Sequence, residues 1–327
     1  MILAWALFVI GLLMLYYGAG WLVKGASSLA RSLGLTPMVI GLTVVAFGTS
    51  APELVVSVIS SLQQKSMIAV GNVVGSNICN IALVLGLVSL FMPIKSNKSV
   101  VKRDIPIIIV ISLYLLLISL NSKIGRFEGL TMLCGIVLYT WFNYRFAVKE
   151  TKYTASKENY TSELAGDEIG YISSKVKQIT LIFAGIVFVV SGAEILIDSA
   201  VKIMKTFEVS EKFIGLTIVA FGTSLPELAV SVVAAMRKEM DISLGNLLGS
   251  NIFNILGVLG VASLVRPILI PGGFIQSGLL IDYLVMMFIS FLPWLMMRKK
   301  CMLTRKDGVI LLSGYVGYIA YLTIKAL

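Results

Sequence analysis

The 327-residue sequence is 57% hydrophobic and 13% charged, with a mean hydropathy of +0.94. This composition excludes a water-soluble domain and predicts an all-α membrane protein whose main solvent is lipid. The net charge of +10 does not indicate nucleic-acid binding, because the basic residues cluster in short gaps between apolar runs. The sequence contains no histidine, so it lacks the commonest metal ligand and the usual neutral-pH proton relay.

Apolar runs long enough to cross about 30 Å of hydrocarbon recur along the whole chain. We predict ten transmembrane helices, the first of them a retained span rather than a signal peptide. They lie near residues 2–23, 36–62, 67–93, 105–121, 126–147, 178–200, 210–236, 242–265, 275–297 and 308–325.

The polar stretch between the fifth and sixth runs predicts a linker at 148–177. It separates residues 1–147 from 178–327, and a constant offset of 174 relates the two halves. "GLTVVAFGTSAPELVVSV" at 41–58 returns as "GLTIVAFGTSLPELAVSV" at 215–232, with fifteen of eighteen positions identical. Five spans per repeat is an odd number, so the second repeat enters from the opposite face. The sequence therefore predicts two inverted-topology repeats of five helices.

Basic residues sort unevenly between the two sides of this topology. The gaps after spans one, three, five, seven and nine hold 19 of the 27 Lys and Arg residues, and the other side holds eight. By the positive-inside rule we expect a multi-pass protein of the cell membrane with both termini outside and the central linker in the cytoplasm.

Each repeated segment carries a glutamate, Glu53 or Glu227, inside apolar sequence. Such a residue costs about 3 kcal/mol at mid-membrane, so two equivalent copies indicate a shared purpose. Helical spacing places Thr49 and Ser50 on the face of Glu53, and the copy repeats this arrangement. Pro52 removes a backbone donor and frees the carbonyl of Gly48. A protonated glutamic acid in an interhelical hydrogen bond, or a simple proline kink, would not need these hydroxyls.

A second repeated motif, "GNVVGSNICNI" at 71–81 and "GNLLGSNIFNI" at 245–255, supplies further oxygen atoms. Asn72, Ser76 and Asn80 are spaced by four residues, so they form one stripe along the helix. Asn246, Ser250 and Asn254 form the same stripe in the copy. We interpret Asn77 and Asn251, which point about 100° away, as interhelical hydrogen-bonding residues. The glycines of the motif predict close helix packing.

These segments offer carboxylate, hydroxyl, amide and backbone oxygens. An all-oxygen set favours hard cations such as Ca²⁺ and Na⁺ over zinc or copper. We therefore expect transported ions rather than a cofactor, the lipid bilayer as surroundings, no nucleic-acid partner and a monomeric protein.

"GTSAPE" and "GTSLPE", each followed 23 residues after the glutamate by the serine of "GSNI", resemble the two α-repeats of sodium/calcium exchangers. The likeness covers the whole chain and is that of compact prokaryotic members of the cation/calcium exchanger superfamily. It implies four mid-membrane ion sites with Glu53 and Glu227 as shared ligands, and alternating access in which spans one and six slide. The remaining implied metal ligands are Thr49, Ser50, Ser76, Asn80, Thr223, Ser224, Ser250 and Asn254, with the backbone carbonyls of Ala46 and Ala220.

Asn254 departs from the resemblance, because several family members carry an aspartate there. Members of the potassium-dependent branch are among those that carry this aspartate, so we do not expect potassium co-transport here. Proton/calcium exchangers of the superfamily usually read "GNAxE", a weaker match, but proton coupling stays open as an alternative. A cation channel built from the same oxygens is a second alternative. An enzyme is not expected, because the sequence has no histidine, nucleophile elbow or Walker A motif.

Overall fold

The computed structural model describes residues 1–155, 171–207 and 220–326, and these are mostly helical. The long apolar runs form helices because lipid offers no partner for backbone N–H and C=O groups, which must bond within the segment. The helices are α1 (Ile2–Ser32), α2 (Pro37–Thr49), α3 (Ala51–Leu62), α4 (Ser66–Phe91), α5 (Ile105–Ser119), α6 (Arg126–Ala155), α7 (Lys175–Thr206), α8 (Ala220–Gly222), α9 (Leu225–Met236), α10 (Met240–Val265), α11 (Leu279–Met297) and α12 (Arg305–Ala326).

Six of these helices are long and apolar enough to cross a membrane, namely α1, α4, α7, α10, α11 and α12. The bent pair α2 and α3 makes a seventh span if the two are counted together. Of the other predicted spans, α5 has only 15 residues and α6 does not pass the same test. The predicted span at 210–236 begins outside the described residues, and its described part, 220–236, contains α8 and α9. Most of the predicted linker, 156–170, also lies outside them.

In the described part of the chain, four short strands form two antiparallel pairs. Strand β1 (Ile94–Lys95), which follows α4, pairs with β4 (Met302–Leu303), which precedes α12. Strand β3 (Ile268–Leu269), which follows α10, pairs with β2 (Lys123–Ile124), which precedes α6. Since α10 is the copy of α4 and α12 corresponds to α6, the second pair repeats the first with the halves exchanged.

The described chain divides into two compact units, and each draws on both halves of the sequence. The first unit, whose described residues are 1–49, 137–155, 171–207 and 225–249, is built around the packing of α1 on α7 and α9. The second, with described residues 50–136, 220–224 and 250–326, contains the α3–α4 hairpin, the end of α10, and the packing of α11 on α5 and of α12 on α4.

Glycines set the spacing between α1 and α7. A methyl group added to Gly11 would lie 2.9 Å from the carbonyl oxygen of Gly192, and one added to Gly185 would lie 2.8 Å from that of Gly18. Residues later in α1 therefore contact residues earlier in α7, so the two helices are antiparallel. Gly11 and Gly185 are related by the offset of 174, as are Gly18 and Gly192. The two equivalent helices thus meet through equivalent residues.

Gly185→Ala should destabilise the first unit, because its methyl group would lie 2.6 Å from the backbone nitrogen of Leu22 and the helices would have to separate. Overpacking of this kind costs about 1–3 kcal/mol. The melting temperature of the purified protein should fall by several degrees. Gly314→Ala in α12 is the matched control, since no described atom lies within 4 Å of its added methyl group apart from its chain neighbours and the backbone of its own helix. Equal melting temperatures for the two variants would contradict the packing role.

Candidate functional site

Both repeated GTS-x-PE segments break their helices at the predicted place. In the first, α2 ends at Thr49, Ser50 has non-helical dihedral angles, and α3 begins at Ala51. Pro52 lies in the first turn of α3, where its missing N–H does no harm to the new helix. In the copy, α8 ends at Gly222, and α9 begins only after Thr223 and Ser224. The break predicted from each proline is confirmed.

The glutamates occupy the first turns of the helices that follow the breaks. Glu53 in α3 and Glu227 in α9 are both fully buried. A helix N-terminus carries a partial positive charge, which favours a carboxylate there by about 1 kcal/mol. That is too little to offset the desolvation of a full charge, which costs several kcal/mol. The helix end alone therefore does not compensate a buried negative charge at either position.

Within the first unit, Thr49 and Glu227 are joined through Asn246. The Thr49 hydroxyl lies 3.0 Å from Asn246 Oδ1 and 3.3 Å from the carbonyl oxygen of Ala46, and its single proton can serve only one of them. The Asn246 amide group donates to the backbone carbonyl oxygen of Glu227 at 3.4 Å and to Ser231 Oγ at 3.1 Å. Asn246 therefore links the hydroxyl of one repeat to the carboxylate-bearing helix of the other.

Within the second unit, the equivalent residues make the same connections. Thr223 Oγ1 lies 3.4 Å from Asn72 Oδ1. The Asn72 amide group donates to the backbone carbonyl oxygen of Glu53 at 3.1 Å and to Ser57 Oγ at 2.9 Å. Ser76 joins this cluster, with its hydroxyl 3.4 Å from that of Thr223. The bonds through Asn72 thus have their counterparts at the offset of 174.

The predicted ligand set omitted the four residues that hold these clusters together. Asn72 and Asn246 stand on the predicted polar stripe but not among the predicted ligands, and Ser57 and Ser231 were missed. The available signal was the serine four residues after each glutamate, in the repeated "VSV" of both segments. Its spacing places it on the glutamate face of the helix.

Asn246→Ala should cost about 2–4 kcal/mol of folding free energy, because it removes one acceptor and two donated hydrogen bonds between buried groups. Unfolding of the purified protein in denaturant measures this loss. Asn143→Ala is a control of the same size: Asn143 is also fully buried, but its amide atoms have no hydrogen-bond partner among the described residues. An Asn246 variant as stable as the Asn143 variant would contradict the linking role.

The second motif brings the predicted amide oxygens close to the interhelical asparagines. Asn80 lies in a π-helical turn (Cys79–Leu85) and Asn254 opens another (Asn254–Val258), both within otherwise α-helical segments. Asn80 Nδ2 donates to Asn251 Oδ1, and Asn254 Nδ2 donates to Asn77 Oδ1. Asn77 and Asn251 also donate to each other's backbone carbonyl oxygens, so their predicted interhelical bonding is confirmed.

Of the other predicted residues, Ser50, Ser224 and Ser250 are fully buried, and the side chain of Ala220 lies outside the described part. Ser224 Oγ, Asn80 Oδ1 and Asn254 Oδ1 have no hydrogen-bond partner among the described residues. The predicted close packing at Gly245 and Gly249 is confirmed, with added methyl groups 2.7 and 2.6 Å from the carbonyl oxygens of Met38 and Leu42. At Gly71 and Gly75 of the first copy the same prediction is not confirmed, because a methyl group added there would meet no described residue of another helix within 4 Å.

The chemistry of both clusters is that of oxygen donors. No group of three His, Cys, Asp or Glu side chains that could hold a metal occurs among the described residues. A cation here would be coordinated by few carboxylates and many neutral oxygens, the set that Na⁺ and Ca²⁺ accept and that zinc and copper do not favour.

Comparison with known proteins agrees with this chemistry. The family described as "Sodium/calcium exchanger protein" matches residues 3–145 and 177–324. Sodium/calcium exchanger MaX1 of Methanosarcina acetivorans is 31% identical, over 96% of this chain and 97% of its own. Inner membrane protein YrbG of Escherichia coli is 34% identical, over 98% and 97%.

A solved structure is similar over the same extent. The sodium-calcium exchanger NCX_Mj, soaked with 2.5 mM Na⁺ and 0.1 mM Ca²⁺, has a TM-score of 0.81 at 33% identity, and the match covers 98% of each chain. The crystal soaked without Na⁺ and Ca²⁺ has a TM-score of 0.82 at 34% identity. Sequence and fold agree over nearly the full length, and the chain belongs to the sodium/calcium exchanger family.

Proposed function

We propose that this protein exchanges Ca²⁺ for Na⁺ across a membrane by alternating access. The observation that carries the proposal is the repeated pair of oxygen clusters, each hydrogen-bonded to the backbone of a fully buried glutamate in the first turn of a helix. The exchangers to which the chain is similar are named for the same two ions. The protein is a multi-pass membrane transporter rather than an enzyme.

We further propose ten membrane spans in two inverted repeats, 1–147 and 178–327, joined by a linker at 148–177. The antiparallel packing of the equivalent helices α1 and α7 supports this topology, because equivalent helices of inverted repeats cross the membrane in opposite directions. The exchanged strand pairs support it too. The distribution of basic residues favours outside termini and a cytoplasmic linker. With both repeats in one chain, a monomer is sufficient.

The proposed ligands of the transported cations share an oxygen donor. Glu53 and Glu227 supply the negative charge, and neutral oxygens complete the coordination. Three buried oxygens with no hydrogen-bond partner in the described part of the chain, on Asn80, Asn254 and Ser224, suit this role. The other proposed ligands are Thr49, Ser50, Ser76, Thr223, Ser250 and the carbonyl oxygens of Ala46 and Ala220.

Exchange follows from the cost of moving an empty site. Two bare carboxylates in a low-dielectric barrier are heavily penalised, whereas carboxylates neutralised by Ca²⁺ or by Na⁺ are not. Only the loaded protein therefore reorients, so one ion must return for the other to leave. We propose that α1 and α7 slide past the other spans during reorientation, held close to each other by their glycine contacts. Glu194 and Asp198 on α7 are exposed, which favours a solvation role over ligation.

A trans-ion experiment tests exchange against a channel. Vesicles containing the purified protein and ⁴⁵Ca²⁺ are diluted into medium with Na⁺, or with an impermeant cation and a Ca²⁺ chelator. We expect rapid efflux only into Na⁺, because an empty site does not return. Equal efflux into both media would identify a channel, and efflux that requires external protons instead of Na⁺ would identify a proton-coupled exchanger.

A further inference from the structure

Four buried asparagines form one hydrogen-bonded group in the second unit. Asn77 and Asn251 are equivalent under the offset of 174, as are Asn80 and Asn254, and each is at most 1% exposed. Asn77 Nδ2 lies 3.2 Å from the carbonyl oxygen of Asn251, and Asn251 Nδ2 lies 3.5 Å from that of Asn77. The group therefore joins the two copies of the GSN motif reciprocally.

These backbone contacts fix which way each amide faces. A backbone carbonyl can only accept a hydrogen bond, so the atoms of Asn77 and Asn251 that face the carbonyls must be the NH₂ groups. Their Oδ1 atoms consequently face away from those carbonyls and can only accept. This assignment does not depend on distinguishing nitrogen from oxygen directly, because the bonding pattern permits one arrangement.

The fixed acceptors then determine the orientation of the two proposed ligands. Asn80 Nδ2 lies 3.2 Å from Asn251 Oδ1, and Asn254 Nδ2 lies 3.1 Å from Asn77 Oδ1. With their NH₂ groups used in this way, Asn80 and Asn254 present their Oδ1 atoms on the opposite side. Both Oδ1 atoms are buried and have no hydrogen-bond partner among the described residues. A buried acceptor without a hydrogen-bond donor or a cation beside it costs about 1–3 kcal/mol of folding free energy.

We propose that Asn77 and Asn251 are positioning residues for cation recognition. Each holds the ligand asparagine of the other repeat with its oxygen, not its NH₂ group, toward the transported ion. An NH₂ group in that place would present positive hydrogen atoms to a cation. This inference rests on the proposed function, since it assigns a partner to the oxygen atoms of Asn80 and Asn254.

Interhelical bonding alone and ligand positioning use different atoms of Asn251. Bonding between the helices uses its NH₂ group, which donates to Asn77, and positioning uses its Oδ1, which accepts from Asn80. Asn251→Asp and Asn251→Leu are close in size to the native side chain, and both lose the donor. Only the aspartate retains an acceptor for Asn80. The pair of variants therefore separates the two roles.

The test measures Na⁺-driven ⁴⁵Ca²⁺ uptake in vesicles over a range of Ca²⁺ concentrations. Asn251→Leu should raise the half-saturating Ca²⁺ concentration by about tenfold, the usual effect of losing a group that orients a metal ligand. The maximal rate per folded protein should change less than about twofold. Asn251→Asp should not raise the half-saturating concentration. Asn77→Leu and Asn77→Asp should behave alike, through Asn254.

Two further measurements keep the inference testable if a leucine variant does not fold. The aspartate of Asn80→Asp presents an oxygen to the ion in either orientation of its side chain. Adding Asn251→Ala to this variant should therefore change the half-saturating Ca²⁺ concentration much less than Asn251→Ala changes it in the native protein. Asn143→Leu controls for the loss of a fully buried amide elsewhere and should leave half-saturation unchanged. The positioning role would be overturned if Asn251→Leu and Asn251→Asp changed the half-saturating Ca²⁺ concentration equally. It would also be overturned if Asn251→Ala had the same effect in the native protein and in Asn80→Asp. A wild-type protein without exchange would instead refute the proposed function.

Discussion

Glu53→Gln and Glu227→Gln should each abolish measurable Ca²⁺ transport while leaving a folded protein in the membrane. Glutamine has nearly the same size and keeps one oxygen, so packing around these fully buried side chains is preserved. It removes one of the two negative charges that we propose balance Ca²⁺. Removing one member of a buried charge pair costs about 3–5 kcal/mol, which corresponds to a loss of affinity of more than about a hundredfold.

The matched control is Glu239→Gln. Glu239 is a largely buried glutamate of the first unit, where it accepts from Ser27 Oγ at 2.6 Å and pairs with Arg31 at 3.4 Å. Its loss should leave the rate of ⁴⁵Ca²⁺ uptake within about twofold of the native protein, since a pair near the surface is worth at most about 1 kcal/mol. Native uptake by either site variant, with folding verified by gel filtration, would remove that glutamate from the site.

Asn254→Asp should change which cations the protein needs for turnover. The aspartate would replace the NH₂ group that donates to Asn77 Oδ1 and would add a third buried carboxylate to the proposed site. Ca²⁺ alone would then leave one negative charge uncompensated, at a cost of about 3 kcal/mol in the membrane interior. Exchange of Ca²⁺ for Ca²⁺ should therefore slow by at least about tenfold unless a proton, Na⁺ or K⁺ is bound with it.

This change is measured as ⁴⁵Ca²⁺ exchange for unlabelled Ca²⁺ at several pH values, with Na⁺, K⁺ or an impermeant cation present on both sides. The variant should recover at low pH or with added monovalent cation, and the native protein should depend less on both. Asn80→Asp is the symmetric counterpart and should respond in the same direction. A profile identical to the native one across Na⁺, K⁺ and pH would count against Asn254 as a ligand.

The broken helices and the buried polar residues could be predicted from the sequence because their causes are local. Pro52 removes a backbone donor wherever it stands in a helix, and the spacing of Thr49, Ser50 and Glu53 fixes their common face. The doubling of this segment also indicates a functional purpose, because a single copy would suffice for a hydrogen bond between two helices. The helix boundaries of α2 and α3 agree with that reasoning.

The connections between the repeats could not be predicted, because they depend on which residues of the other half come near. Asn246 has the same sequence context as Asn72, and nothing in that context specifies that it bonds Thr49 of the first half. The orientation of Asn80 likewise depends on Asn251 in the other half, whose amide group donates to the backbone carbonyl oxygen of Asn77. The two-residue strands were missed because such short pairs have no periodicity to detect.

Uphill accumulation of Ca²⁺ in vesicles would show that Ca²⁺ movement is coupled to a second ion. Purified protein is reconstituted, and outward gradients of Na⁺, K⁺ and H⁺ are imposed one at a time with equal external Ca²⁺. We expect only the Na⁺ gradient to drive internal free Ca²⁺ above the external concentration, and we expect no such accumulation in vesicles that contain the Glu53→Gln variant. Ca²⁺ that only equilibrates, whatever the gradient, or that accumulates on the H⁺ gradient without Na⁺, would contradict exchange of Ca²⁺ for Na⁺.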